Sequence, residues 1–382
     1  MNKSFLIFFA IVFIVYLSVN SYIFIRGLQS FKPESPLKGF YIVSFVIVSL
    51  TFWAGRITEN YFPSIFTDVL VWIGSFWLAF ILYFLIAIIL LDIIRLINHF
   101  IPFYPNYIKE NYQQFKEYTF YSVVAIVSII VFVGHINYRN PRIYTKEIEI
   151  NKKAGELKAL NIVVASDIHM GTIVTNGRVR KLVEMVNSLN PDLILLPGDI
   201  LDEDLEPVIR RNLGDDIKKL EAKYGVFAVN GNHEFIGGAE AADKYLRSHG
   251  INLLRDSVAV INNDILIVGR EDLSVNRISQ RKTIEELLNG YDKKQPIILL
   301  DHQPFKLYES ENAGVDLHLS GHTHHGQLFP FNYLTEKIYE VSWGYKKKGD
   351  THVYVSSGYS GWGPPVRLGS RTEIVNIKIK FN

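Results

Sequence analysis

Aspartate, histidine and asparagine recur in short motifs, and each motif directly follows an apolar run. The motifs are Asp167-Ile168-His169, Gly198-Asp199 with Asp202, Gly231-Asn232-His233-Glu234, an isolated His302, and Gly321-His322-Thr323-His324. Carboxylate, neutral imidazole and amide oxygen suit borderline divalent ions such as Mn, Fe, Zn or Ni. The pattern predicts a site for two such ions, about 3.5–4 Å apart, that would clamp a phosphate and activate a water for in-line attack on phosphorus.

The candidate ligands divide between the two ions. Asp199 follows a strand and can offer one carboxylate oxygen to each ion. Asn232 supplies a neutral oxygen and therefore adds no further negative charge. The remaining ligands are Asp167, His169 and His324 for the first ion, and His302 and His322, with Asn232, for the second.

His233 is the candidate general acid. It directly follows Asn232, so it points away from the ions if Asn232 points towards them, and it can then protonate the leaving oxygen. Asp202 is available to hold the ring of His233 in the required tautomer.

Each motif taken alone has a plain alternative. Asp-x-His is often surface polarity, and Gly-Asp, Gly-Asn-His and Gly-His-Thr-His all occur in ordinary turns. Their joint occurrence after successive apolar strands argues against these alternatives, because so many polar side chains at strand ends would otherwise be costly.

Alternating strands and helices are expected to position these loops. Predicted strands are 143–150, 162–165, 193–196, 225–229, 296–300, 315–319, 353–355 and 374–379, with a hairpin of 258–261 and 265–268. One predicted helix has Asn176 as its cap and runs through Leu189, and two more cover 207–222 and 238–249. This order predicts an α/β domain whose sheet is covered on both faces, with a second sheet packed against the first.

The first 138 residues have a different composition, dominated by apolar and aromatic runs. Overall the 382 residues carry a formal charge of +2, which gives no electrostatic case for nucleic acid, and contain no cysteine, which excludes disulfides and thiolate metal sites. About four membrane spans are predicted, at 5–25, 40–54, 69–91 and 118–136. A cleaved signal peptide is the alternative for the first, although its apolar run continues past the candidate cleavage region.

The expected domain organisation is a transmembrane region at 1–138, a linker with a first strand at 139–158, and a catalytic domain at 159–382. Four spans place both ends of the membrane region on one side, and the loops on the other side carry Arg26, Lys32, Lys38, Arg95, Lys109 and Lys116. The basic flank after the first span favours a cytoplasmic location for these loops and an extracytoplasmic catalytic domain. Asp92 and His135 lie near span ends, where snorkelling is the ordinary explanation for a polar residue.

The five motifs together resemble the five-block pattern of calcineurin-like metallophosphoesterases, over about residues 155 to 380. The resemblance implies a four-layer αββα sandwich, with Asp199 bridging two metal ions and His233 as the acid. The tail from Ser357-Gly358-Tyr359 to Gly363-Pro364-Pro365-Val366-Arg367-Leu368-Gly369 is similar to that of a bacterial membrane-associated branch of predicted phosphohydrolases.

Two departures from the family pattern stand out. Phosphoprotein phosphatases of this family have Arg after the second Asp of the Gly-Asp block, whereas Glu203 follows Asp202 here, which argues against that substrate class. The membrane branch has Gly-Gly after its last His, whereas this chain has His325-Gly326. His325 and Arg367 are candidate substrate contacts. The alternative for His325 is an exposed neutral loop residue, and the alternative for Arg367 is a surface salt bridge. The run Lys346-Lys347-Lys348 is interpreted as a solvated or headgroup-facing loop.

The sequence thus predicts an integral membrane protein of the bacterial cytoplasmic membrane that hydrolyses a phosphoester, and it shows no obligate protein partner. Tethering near a bilayer makes a lipid-linked or envelope phosphoester the natural substrate. The alternatives are an anchored phosphodiesterase or nucleotidase for soluble substrates, and a sensing protein that keeps the domain as a ligand-binding module. Transport is a further alternative, but the four spans lack a buried charge pair or a broken helix.

Overall fold

The structure is a computed structural model that describes residues 3–277 and 279–382. The chain forms two compact units, Met1–Gly134 and His135–Asn382. The first unit consists of long apolar helices, and the second is a mixed α/β unit that carries the candidate ligands.

Among the residues that the structure describes, the first unit contains four helices long and apolar enough to cross a membrane. Its helices are α1 (Lys3–Leu28), α2 (Pro36–Tyr61), α3 (Ile65–Phe100), the short α4 (Asn106–Glu110), and α5 (Tyr112–Arg139), which continues into the second unit. Large apolar side chains face outwards, such as Phe40 at 72% and Ile129 at 63% exposure. Because such surfaces are stable only in lipid, the four predicted spans are supported. The helices extend beyond the predicted spans, since helical hydrogen bonding continues past the apolar stretch.

Two six-stranded mixed sheets form the second unit. The first sheet has the order β1 (Arg142–Ile150), β12 (Glu373–Phe381), β2 (Ala159–Val164), β3 (Leu193–Pro197), β4 (Val226–Val229), β5 (Asn252–Leu253). The second has the order β10 (Gly344–Lys348), β11 (Thr351–Val355), β9 (Leu317–Ser320), β8 (Ile297–Leu300), β7 (Ile265–Gly269), β6 (Ser257–Ile261). The remaining helices are α6 (Asn176–Asn187), α7 (Glu206–Arg210), α8 (Leu213–Ile217), α9 (Asn232–Gly237), α10 (Ala239–Ser248), α11 (Ile284–Leu287), α12 (Tyr308–Ala313) and α13 (Phe331–Ile338).

The apolar strands are continuous runs because both of their faces are buried. In β3, Leu193 and Leu195 face the core between the two sheets, whereas Ile194 and Leu196 face the core under the helices of the first sheet. A third core lies under α11 and α12 on the outer face of the second sheet. The layers are therefore helix, sheet, sheet, helix, and the predicted αββα sandwich is confirmed.

Three local predictions were wrong. The helix predicted at 207–222 is two short helices, because Asn212 between them has a left-handed backbone with φ of 52°. Thr175, not Asn176, occupies the N-cap position of α6. Lys346-Lys347-Lys348 belongs to β10, which pairs antiparallel with β11, so the basic run is an edge strand and not a loop. Such an edge is suited to lysines, which discourage pairing with another chain.

Candidate metal centre and the residues that hold it

The candidate ligands all lie just beyond the carboxyl ends of five central strands. β2, β3 and β4 are parallel neighbours in the first sheet, and β8 and β9 are parallel neighbours in the second. Their loops carry Asp167 and His169, then Asp199, then Asn232 at the start of α9, then His302, then His322 and His324. Because the two sheets pack face to face, one rim collects all seven side chains. Open α/β sheets place ligands at this kind of rim.

Five of these residues have a left-handed backbone although none is glycine. Their φ angles are 52° for Asp167, 51° for His169, 51° for Asp199, 71° for His322 and 47° for His324. Each such residue costs about 1–3 kcal/mol, and strain of this kind clusters at functional sites. The fold thus uses conformational free energy to aim these side chains inwards.

The first group of candidate ligands is Asp167, His169 and His324. Nε2 of His324 lies 3.3 Å from Nε2 of His169 and 3.6 Å from Oδ1 of Asp167. Nε2 of His169 lies 3.8 Å from Oδ2 of Asp199. Asp199 therefore adjoins this group as well as the second one.

The second group is Asp199, His302 and His322. Nε2 of His302 lies 3.1 Å from Oδ2 of Asp199, and Nδ1 of His322 lies 2.8 Å from Oδ1 of Asn232. Asp199 belongs to this group, and its Oδ2 also lies 3.8 Å from Nε2 of His169 in the first group, as expected for a carboxylate between two ions. A further set of possible ligands combines His169, Asp199 and His233.

The chemistry of these atoms fits divalent cations. Nδ1 of the fully buried His302 lies 2.8 Å from the carbonyl oxygen of Pro197 and donates to it, so Nε2 is the nitrogen that faces Oδ2 of Asp199, at 3.1 Å. Burial alone would lower the pKa of this ring, but the carboxylates of Asp199 and Asp167 raise it well above its usual value, so a bound cation would take the place of the Nε2 proton. A ring nitrogen and a carboxylate oxygen that converge in this way suit a cation between them.

Metal binding also requires neutral imidazoles. Burial lowers the pKa of His169 to about 4, and burial likewise lowers the pKa of His322 to about 4. Burial and the nearby Arg367 guanidinium hold the pKa of His324 well below its usual value. These three rings are thus neutral and able to donate a lone pair near pH 7.

His233 differs from these histidines. Burial alone would lower its pKa, but the carboxylates of Asp202, Asp199 and Glu203 raise it to about 9. Nδ1 of His233 lies 3.2 Å from Oδ1 of Asp202 and 3.8 Å from Oε1 of Glu203. Because the carboxylates lie on the Nδ1 side of this protonated ring, Nε2 is the nitrogen suited to donate a proton. Glu203 occupies the position at which phosphoprotein phosphatases of this family have an arginine. Its carboxylate adds negative charge beside His233 and supplies no cation to bind phosphate.

Comparison with known proteins identifies the family. The model of the calcineurin-like phosphoesterase family matches residues 160–326. An uncharacterized metallophosphoesterase of Aquifex aeolicus is 34% identical over 241 residues, which are 62% of this chain and 90% of that protein. This chain belongs to the calcineurin-like metallophosphoesterase family.

The chain spans less than two thirds of the length of two further relatives that it matches. A "transmembrane protein with metallophosphoesterase domain" of Danio rerio is 33% identical over 253 residues, 63% of this chain and 57% of that protein. A Helicobacter pylori metallophosphoesterase is 33% identical over 241 residues, 63% of this chain and 64% of that protein. Among solved structures, TT1561 of Thermus thermophilus has a TM-score of 0.37 and 13% identity over 52% of this chain and 90% of that chain, too low for a functional comparison.

Glu234 supports the loops that carry the candidate ligands. It belongs to the Gly231-Asn232-His233-Glu234 motif, but the sequence alone did not indicate this role. Its side chain is buried and accepts backbone hydrogen bonds from Asp199 (3.1 Å), Leu201 (2.8 Å) and Gly231 (2.7 Å). The carboxylate thus ties the loop after β3 to the start of α9. His233 N completes this link by donating to Asp199 Oδ1 at 3.0 Å.

Arg367 lies behind the site instead of facing a substrate. It is fully buried, and its guanidinium donates to the carbonyl oxygens of Ser360, Ser357 and His324, at 2.6 Å for the latter two. Nη2 also lies 3.1 Å from Nδ1 of His324. This placement favours a role in positioning the His324 loop over contact with phosphate, and over the surface salt bridge considered as the alternative.

His325 turns away from the ligand groups. Its Nδ1 lies 3.0 Å from Oγ of Ser342, its Nε2 lies 3.7 Å from Oε1 of Glu336, and its ring packs on Trp343. These contacts account for the position of its side chain without a substrate.

Trp362, which no sequence motif singled out, packs on the candidate acid. Its ring centroid lies 5.9 Å from that of His233, and 45% of the residue is exposed. Its flanking Gly361 and Gly363 were the available signal in the sequence.

Proposed function

We propose that the second unit is a dinuclear metal-dependent phosphoester hydrolase. The observation that carries the proposal is the convergence of strained or buried aspartate and histidine side chains into two groups of possible ligands, with Asp199 in one group and beside His169 of the other. Asp167, His169, His324 and Asp199 would hold one divalent ion, and Asp199, Asn232, His302 and His322 would hold the other. The two ions would supply Lewis acidity for the phosphoryl group and for the attacking water. Mn, Fe, Zn and Ni all suit this donor set.

His233 acts as the general acid for the leaving oxygen. The ring is protonated near pH 7 because nearby carboxylates raise its pKa, and Asp202 fixes its orientation from the Nδ1 side. The opposite nitrogen, Nε2, is then the proton donor. Loss of this proton must matter most when the leaving oxygen is a poor leaving group.

The substrate is a phosphoester carried on a lipid or another component of the cell envelope. Exposed apolar side chains on α13 and the adjoining loops support this proposal. They include Phe331, Tyr333, Leu334 and Ile338 of α13, at 44–57% exposure, and Phe329 beside the helix. Because α13 begins only a few residues after His324, an apolar substrate or a bilayer surface would meet this surface close to the site. The proposal includes a location in the bacterial cytoplasmic membrane with this unit outside the cytoplasm, which the basic loops favour.

Substrate competition in mixed micelles tests the proposal. Full-length protein loaded with Mn should hydrolyse a phospholipid monoester or diester with higher kcat/KM than a nucleotide carrying the same ester class. Higher kcat/KM for the nucleotide would instead favour the anchored nucleotidase. Turnover of neither class, with bound Mn demonstrated, would favour a sensing role.

A leaving-group series tests the role of His233. His233→Ala should retain bound Mn and lose most turnover of alkyl esters, by about 10²–10⁴-fold, the usual contribution of a general acid. The loss should be much smaller for an aryl ester, whose oxygen leaves without protonation. Equal losses for both esters would contradict the assignment.

A further inference from the structure

A cavity of about 450 Å³ lies within the first unit, between α5 and the group formed by α1, α2 and α3. Its size falls in the range of small-molecule sites, about 300–1,000 Å³. Its deeper lining is apolar and includes Phe45, Val48, Trp77 and Val124. Along α3 the lining extends from Trp77 to Arg95, about 27 Å at 1.5 Å per residue, so the cavity is long as well as narrow.

One end of this cavity is charged. Asp92 forms ion pairs with Arg26 at 2.6 Å and with Arg95 at 3.1 Å, and it also accepts a hydrogen bond from Tyr22. Lys116 lines the same end and donates to the carbonyl oxygen of Gln29 at 3.0 Å. Within 3–277 and 279–382, no carboxylate lies within ion-pair distance of Lys116. Three cations and one anion therefore leave a net charge of +2 at this end.

These features match one kind of occupant. An apolar cavity of this length accepts a hydrocarbon chain, and an uncompensated charge of +2 at its mouth attracts an anionic headgroup. Basic pockets between transmembrane helices bind anionic lipid headgroups in this way. α5 meets the other helices at the polar end, where Phe120 packs on Phe31 and Tyr41, so a chain between the helices would complete their packing deeper in the membrane.

We propose that this cavity binds an anionic phospholipid, with a chain against Trp77 and Val124 and the phosphate at Arg26, Arg95 and Lys116. A zwitterionic lipid is disfavoured because its headgroup cation would face these three side chains. The site lies wholly within the first unit and does not rest on the proposed hydrolase function.

Lipid titration of the full-length protein in detergent, followed by native mass spectrometry, tests this site. Phosphatidylglycerol should bind more tightly than phosphatidylcholine with the same acyl chains. Each basic residue near an anionic headgroup contributes roughly 1 kcal/mol, about five-fold in affinity, so Arg95→Gln with Lys116→Gln should weaken phosphatidylglycerol binding about 30-fold. The matched control is Lys32→Gln with Lys109→Gln, which removes two exposed charges that do not line the cavity and should change affinity less than two-fold.

A steric variant keeps the proposal testable if the double charge variant fails to fold. Ser44 lines the cavity, and Ser44→Phe fills it while leaving all four charged residues in place, so phosphatidylglycerol binding should fall at least ten-fold. Equal affinity for the two lipids would overturn the proposal. Equal losses in the charge variant and its matched control, or unchanged binding by Ser44→Phe, would do so as well.

Discussion

Gly231→Ala should disable the proposed metal centre without replacing any of its ligands. A Cβ on Gly231 would lie 2.6 Å from the backbone nitrogen of Asp199 and 2.8 Å from its Cγ, and it would meet the Oδ1 atom more closely still. Ordinary contact begins at 3.4 Å, so these atoms must separate by about 0.6–0.8 Å. Metal–ligand distances tolerate only about 0.2 Å, so a shift of this size would take Asp199 out of range of an ion held by either group.

Isothermal titration with Mn, together with thermal unfolding, measures this effect. Metal affinity should fall about 10–100-fold, as for other changes to the groups that orient ligands, and overpacking should cost about 1–3 kcal/mol of unfolding free energy. Gly177→Ala is the matched control, because a Cβ there meets nothing within 4 Å on helix α6. It should leave Mn affinity unchanged and stability equal or higher. Wild-type Mn affinity in Gly231→Ala would refute the role assigned to Asp199.

Two further variants probe buried charges around the site. Burial raises the pKa of Glu373 to about 7, so the folded state binds its proton more tightly than the unfolded state does, and this contribution to stability is lost as pH rises from about 4.5 to 7. Glu373→Gln should therefore gain roughly 3 kcal/mol relative to wild type between pH 4.5 and pH 8 in chemical denaturation, and a pH-independent difference would contradict this. Arg367→Lys should lower Tm by about 4–12 °C, because a lysine cannot reach the separate carbonyl acceptors of the guanidinium and about 2–3 kcal/mol is lost. An unchanged Tm with a raised KM would instead indicate contact with substrate phosphate.

Much of the fold follows from local patterns that the sequence displays directly. Leu193–Leu196 predicts a strand buried on both faces because no polar residue interrupts it, and β3 has this environment. The predicted hairpin of 258–261 and 265–268 has the turn residues Asn262-Asn263-Asp264 between its strands, and the antiparallel pairing of β6 and β7 confirms it. Each ligand motif follows such a strand, so its position at the rim follows from the parallel order of the strands.

Other features depend on contacts that are distant in sequence. Arg367 is buried because carbonyl oxygens of the His324 loop and of 357–360 surround it, and no local pattern distinguishes it from an exposed arginine. The break at Asn212 depends on a single backbone conformation that the helical pattern of 207–222 conceals. Lys346-Lys347-Lys348 forms a strand because β11 supplies hydrogen bonds, although its composition is that of a solvated loop.

The charged end of the membrane cavity shows the same limit. Arg26, Asp92, Arg95 and Lys116 lie on three helices, and each alone is an ordinary residue near the end of a span. Only the packing of the helices brings them to one end of a shared cavity. The excess of positive charge at this end of the cavity can therefore be recognised only from the structure.

Metal-dependent turnover by Asp199→Asn against wild type tests the central claim most directly. Full-length protein is stripped of metal, reloaded with Mn, and assayed with an aryl phosphodiester and the matching monoester. We expect wild-type turnover to require Mn, and we expect Asp199→Asn to lose both Mn binding and turnover, because Asp199 adjoins both ligand groups. Full activity in Asp199→Asn, or wild-type turnover without any divalent ion, would contradict the dinuclear mechanism.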